Sequence, residues 1–224
     1  IVDNDFAGDP DGLFALAHQW LSPSARTVLV TTSALNARLA AMAGEPAGRS
    51  AAKGRDLALQ LARLTALPEV CPVLPGSESF GAGEAQVTLA ARAIVAEAQR
   101  DDPLPLVLAC GGPLTNVAAA LRLEPAIATR MSVLWIGGST TPGAEPEYNL
   151  ANDAAAAQQV LSHPGLTLRV VPSAVPTPEM LRDGGCQLVV SPRPPEAADL
   201  MQKANLRPAV MIDCSHANSS KQHQ

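Results

Sequence analysis

No apolar run in this chain approaches the roughly 18 residues that a bilayer-spanning helix needs, and no signal peptide is visible at its start. Charge is sparse as well, at 17% of residues, and 16 Lys and Arg against 21 Asp and Glu leave a net charge of -5. A nucleic-acid partner would need a basic footprint, which is missing, so neither nucleic acid nor membrane is expected as a partner. Only four cysteines occur, Cys71, Cys110, Cys186 and Cys214, and none forms a C-x-x-C pair. They read as reduced thiols of a cytoplasmic protein, with buried packing expected for Cys71 and Cys110. An initiating methionine is also missing, so the natural start is expected to precede Ile1.

What is present is apolar and globular. Apolar residues make up 47% of 224, enough to bury a core in a single α/β domain and too many for overall disorder. Strand-like runs at 1–3, 27–32, 106–110, 131–136 and 166–171 alternate with helical patterns at 13–21, 85–99, 114–123 and 154–161. An Ala-rich stretch spans 37–67, followed by a short segment near 70–74. Strands interleaved with helices predict an α/β fold, an open and mainly parallel sheet with helices on both faces. Ligands of such folds bind beyond the carboxyl ends of the strands.

The first of those ends is the most informative. Ile1-Val2 runs into Asp3 and Asp5, a turn through Gly8 follows, and Asp9 and Asp11 precede the helical pattern that opens at Leu13. One such acid would be an ordinary turn residue or helix cap. Four within nine residues repel one another unless a cation joins them, and a hard divalent ion takes carboxylate oxygens. An aspartyl-phosphate phosphatase also places two acids two apart after a first strand. Asp3 and Asp5 would fit that reading, with Asp3 as nucleophile and Mg²⁺ as the ion, but Ala7 stands where its Thr or Val is usual.

Other strand ends are polar or glycine-rich: Thr31-Thr32-Ser33 leading to Asn36, Gly111-Gly112-Pro113-Leu114-Thr115-Asn116, Gly137-Gly138, then Glu147-Tyr148-Asn149 with Asp153 four residues on. Each alone reads as a turn. Together with the acid cluster, and in this order, they resemble the inosine-uridine preferring nucleoside hydrolases over residues 1–176. That family splits ribonucleosides into ribose and base with Ca²⁺, in purine and pyrimidine salvage. The resemblance implies that Asp5 binds the metal and acts as general base on metal-held water. It divides metal and ribose duties between Asp9 and Asp11; Asp11 on the metal and Asp9 on the sugar is preferred, and the reverse stays open. Gly111 would offer a backbone carbonyl to Ca²⁺, Asn36, Glu147 and Asn149 would bind the sugar, and Asp3 would support the loop.

Beyond Pro176 the resemblance stops. Gly184-Gly185 and Pro192-Arg193-Pro194-Pro195 read as a linker over 177–202. The tail, 203–224, resembles a fragment of the class I 3-deoxy-7-phosphoheptulonate (DAHP) synthases, in which His216 would be a metal ligand. A barrel of that kind needs about 250 residues, so the tail reads as a fragment and the chain as a chimera with a C-terminally incomplete hydrolase. Asp213 or His216 could fold back to replace the family's missing late His-Asp pair. His18, His163 and His223 read as helix or terminal residues without a catalytic part. Three functions follow: N-ribosyl hydrolysis of a small-molecule nucleoside, ribose or nucleoside binding without turnover, and synthase chemistry from the tail. An incomplete helical layer would expose sheet surface, from which a homo-oligomer is expected.

Overall fold

The computed structural model describes residues 1–8, 10–46, 48–67, 69–81, 87–139 and 147–172, together with the backbone of 189–191 and 210–212. Six strands form one sheet in the order β3-β2-β1-β4-β5-β6: β1 (Val2–Asn4), β2 (Val30–Thr32), β3 (Val73–Pro75), β4 (Leu106–Cys110), β5 (Met131–Ile136) and β6 (Thr167–Val171). Every neighbouring pair is parallel, as the expected α/β class requires. Two further strands, β7 (Val189–Ser191) and β8 (Val210–Ile212), pair in parallel as a sheet of their own. The expected linker and tail otherwise lie outside the described residues, His216 and Asp213 included.

The connecting helices are α1 (Asp11–Leu21), α2 (Ala37–Met42), α3 (Ser50–Leu64), α4 (Leu89–Gln99), α5 (Thr115–Leu123), α6 (Tyr148–Asn152) and α7 (Ala154–Leu161). None of the described helices is long and apolar enough to cross a membrane. The Ala-rich stretch divides into α2 and α3, because Gly44 takes a φ of 71° that ends the first helix. The helix expected from residue 85 begins at Leu89, where the Thr88 hydroxyl accepts the backbone N–H of Ala91 at 3.1 Å.

Alternation along the strands divides the core between the two faces of the sheet. Ile1 and Leu29 pack with Leu108, Val133, Trp135 and residues of α4, α5 and α7, whereas Val2 and Val30 pack with Phe6, Leu16, Ala58 and Val73 beside α1 and α3. The two clusters clamp β1 at the centre. Towards the β6 edge the second face is less covered, and Val107 of β4 is 47% exposed.

Strand order turns back at β1: the chain proceeds outward to β2 and β3, then returns to place β4 on the other side of β1. The crevice between the carboxyl ends of β1 and β4 is therefore the switch point at which such sheets bind ligands.

Candidate functional site

Asp3 is the buried centre of that crevice, with no exposed surface. Parallel register sets Thr31 on one side of it and Cys110 on the other, and all three side chains leave the sheet on the same face. Its carboxylate accepts hydrogen bonds from the Thr31 hydroxyl, from Ser33 Oγ at 2.6 Å, from Asn116 Nδ2 at 2.8 Å, and a longer one from Cys110 Sγ at 3.6 Å. Desolvation raises its pKa, while the hydrogen bonds from Ser33, Thr31, Asn116 and Cys110 oppose the rise. Burial and the neighbouring Asp3 charge push the Cys110 thiol well above its usual value. Asp3 thus ties β1, β2, β4 and α5 together. Cys110 and Cys71 are both free thiols, the first buried and the second half-buried.

Asp5 follows directly, where β1 gives way to a turn closed by Gly8 N–H on the Asp5 carbonyl at 2.9 Å. The Asn4 side chain holds it, accepting the Asp5 N–H at 2.8 Å. Two glycines crowd that Asn4 amide: a Cβ at Gly111 would lie 2.6 Å from Asn4 Nδ2, and one at Gly12 2.8 Å from it. Around one side chain, then, meet the exit of β1 with Asp5, the exit of β4 with Gly111, and the first turn of α1 with Asp11. An acid in that turn is favoured by the helix dipole. Asp9 lies outside the described residues.

The short helix α6 covers the same edge. Glu147 caps it, its carboxylate accepting from Asn149 N–H at 2.9 Å, Leu150 N–H at 3.0 Å and Gly138 N–H at 2.8 Å. Asn149 is only 6% exposed and donates through Nδ2 to the carbonyls of Gly111 at 3.0 Å and Ile136 at 2.8 Å. Asn36 caps α2, accepting Leu39 N–H at 2.8 Å, and donates through Nδ2 to Asn152 Oδ1 at 3.0 Å. Asp153 in turn caps α7 and accepts the Thr115 hydroxyl at 2.7 Å, locking α7 to α5.

Asp3, Asp5, Gly111, Glu147 and Asn149 therefore share one sheet edge, with Asp11 and Asn36 brought to it by α1 and α2. Glu147 and Asn36 carry more protein contacts than a sugar-binding part alone would require. Three contributors were not singled out from sequence: Asn116 as a partner of Asp3, Asn152 as a partner of Asn36, and Trp135, whose indole N–H donates to the Gly112 carbonyl at 3.1 Å. Only the spacing of Asn152, three residues after Asn149 on one helix, was a usable signal.

Two carboxylates, Asp5 and Asp11, and the Gly111 carbonyl are oxygen donors of the kind that a hard cation takes. In kind they fit Ca²⁺. Among the described residues, however, no three His, Cys, Asp or Glu side chains gather as a metal-holding group.

The sequence profile of the inosine-uridine preferring nucleoside hydrolases matches residues 1–212. The chain belongs to that family. The match continues past residue 176 and takes in the stretch read as a linker and the first part of the synthase-like tail. Among curated protein sequences, none matches the chain.

This nucleoside hydrolase family member also shares its fold with solved structures. An inosine-guanosine nucleoside hydrolase superposes with a TM-score of 0.62 at 19% identity, over 82% of this chain and 63% of that one. A purine-preferring ribonucleoside hydrolase from Gardnerella vaginalis gives 0.58 at 18% identity, over 81% and 64%. The type III effector protein XopQ, complexed with adenosine diphosphate ribose, gives 0.53 at 19% identity, over 82% and 61%. The nucleoside hydrolase family member spans less than two thirds of the length of each of these three.

Proposed function

We propose that this chain hydrolyses the N-glycosidic bond of ribonucleosides to ribose and free base, with Ca²⁺ held by Asp5, Asp11 and the Gly111 carbonyl. The observation that supports this most is the meeting of Asp5, Gly111 and Asn149 at the switch point of a family-matched sheet. Bound there, the cation would lower the pKa of a coordinated water. Asp5 would take the proton of the attacking water as the water oxygen bonds to the anomeric carbon and the bond to the base nitrogen breaks, the base leaving with the electron pair and taking a proton from solvent. Oxocarbenium character on the sugar is stabilised by the surrounding carboxylates. Asp9, Asn36, Glu147 and Asn149 are assigned to the sugar, and Asp3 keeps β1 in register with its neighbours.

Calorimetric titration of metal-free protein with Ca²⁺, with and without ribose, tests this reading, followed by inosine and uridine cleavage on the same sample. Ca²⁺ affinity strengthened by ribose, with turnover lost on chelation and restored by Ca²⁺, is the expected result. Absence of both binding and turnover would reject it. A second reading, binding of a ribose-containing ligand without turnover, draws on the fold shared with XopQ, which was solved in complex with adenosine diphosphate ribose. Ribose binding with no cleavage selects it.

We further propose that the chain self-associates in the cytoplasm through the less covered sheet face around Val107. Light scattering should give a mass that is a multiple of 23.1 kDa; a monomer mass would count against it.

A further inference from the structure

Hydrogen-bond polarity on α6 is dictated by the main chain. The Leu39 N–H can only donate, so the Asn36 atom that meets it at 2.8 Å is its carbonyl oxygen. The other end of that amide, Nδ2, then donates to Asn152 at 3.0 Å, and the atom of Asn152 that receives it is Oδ1. What remains of Asn152 is its Nδ2, buried at the atomic level and without a partner among the described residues. Asn149 is set the opposite way. Two main-chain carbonyls, Gly111 and Ile136, hold its Nδ2, and its buried Oδ1 has no partner among the described residues.

Asn149 and Asn152 stand three apart on α6 and so share a face of the helix. That helix lies over the carboxyl edges of β4 and β5, through Gly111 and Ile136, and reaches the segment after β2 through Asn36. Beside the crevice it holds one buried acceptor and one buried donor of fixed sense. Buried amide groups left unpaired are costly, so the pair is built for a partner that supplies the complement. A vicinal diol does so, because each hydroxyl both donates and accepts.

We propose that Asn152 is a substrate-contact residue: its Nδ2 donates to a hydroxyl of the sugar whose neighbouring hydroxyl donates to Asn149 Oδ1. Asn36 acts as the positioning residue that fixes the sense of the Asn152 amide. This rests on the ribonucleoside reading above. It also moves the direct sugar contact from Asn36, both ends of whose amide are taken by protein, to Asn152.

Asn152→Asp separates this role from a structural one. The aspartate keeps an oxygen to receive Asn36 Nδ2 but replaces the buried, unpaired N–H donor with a second acceptor. A residue needed only to hold Asn36 would tolerate that change. The measurement is D-ribose affinity by calorimetry on the full chain with Ca²⁺ present, for wild type, Asn152→Asp and Asn152→Ala, with thermal midpoints recorded in parallel. Both variants are expected to bind ribose roughly tenfold or more weakly at a temperature where the recorded midpoints show each to be folded. Where Asn152→Ala fails to fold, Asn152→Asp carries the test alone. Wild-type affinity in Asn152→Asp would overturn the assignment while leaving the ribonucleoside reading intact. No ribose binding by the wild type itself would instead overturn the ribonucleoside reading and this assignment with it.

Discussion

Replacing Asp3 with alanine lowers the thermal midpoint by roughly 10 °C, because each buried donor left unpaired costs about 1–3 kcal/mol and each kcal/mol is worth about 2–4 °C at this size. The donors are the hydroxyls of Thr31 and Ser33 and the Nδ2 of Asn116, and all three residues are buried. Asp3→Asn costs much less, about 1 kcal/mol, since the amide keeps one acceptor and a hydroxyl can turn to receive its N–H. Desolvation of the carboxylate, which raises its pKa, works in the same direction, because a neutral group at this position escapes that penalty. Thermal unfolding of the two variants side by side is the check. Equal midpoints for alanine and asparagine would mean that the network does not hold the strands together.

At Asp5 the expected loss is in turnover. Asp5→Asn retains an oxygen that can face a cation but cannot take a proton, so kcat for inosine falls by roughly 10³-fold, about 4 kcal/mol of barrier. Asp5→Ala removes the oxygen as well and abolishes Ca²⁺ binding together with turnover. Single-turnover assays with calorimetry on the same samples distinguish these effects. Unchanged kcat in Asp5→Asn would remove Asp5 from the role of base, even with Ca²⁺ binding intact.

Much of the architecture is legible in the chain itself. Short apolar runs bounded by helical patterns suit a parallel sheet buried on both faces, and acids directly after the first run belong at its carboxyl edge. The boundaries move where main-chain geometry intervenes, as at Gly44 between α2 and α3 and at the Thr88 cap of α4. Local signals of this sort act over a few residues and can be read without knowing the partners.

Partners are another matter. Asp3 is readable as an acid at the end of a strand, but its pairing with Thr31 and Cys110 depends on strand order and register, and Asn116 reaches it across 113 residues. Asn36 reads naturally as a polar residue free for a sugar, yet the fold commits one end of its amide to α2 and the other to Asn152, 116 residues away. By itself the sequence determined the sheet class and the edge to which the acids after the first strand belong, because periodicity and turn chemistry are local, while the family rests on the order of its motifs and on the profile match. Only the tertiary structure decided which amide end is free and which carboxylate is sealed in the core, because hydrogen-bond allocation follows the packing of elements distant along the chain.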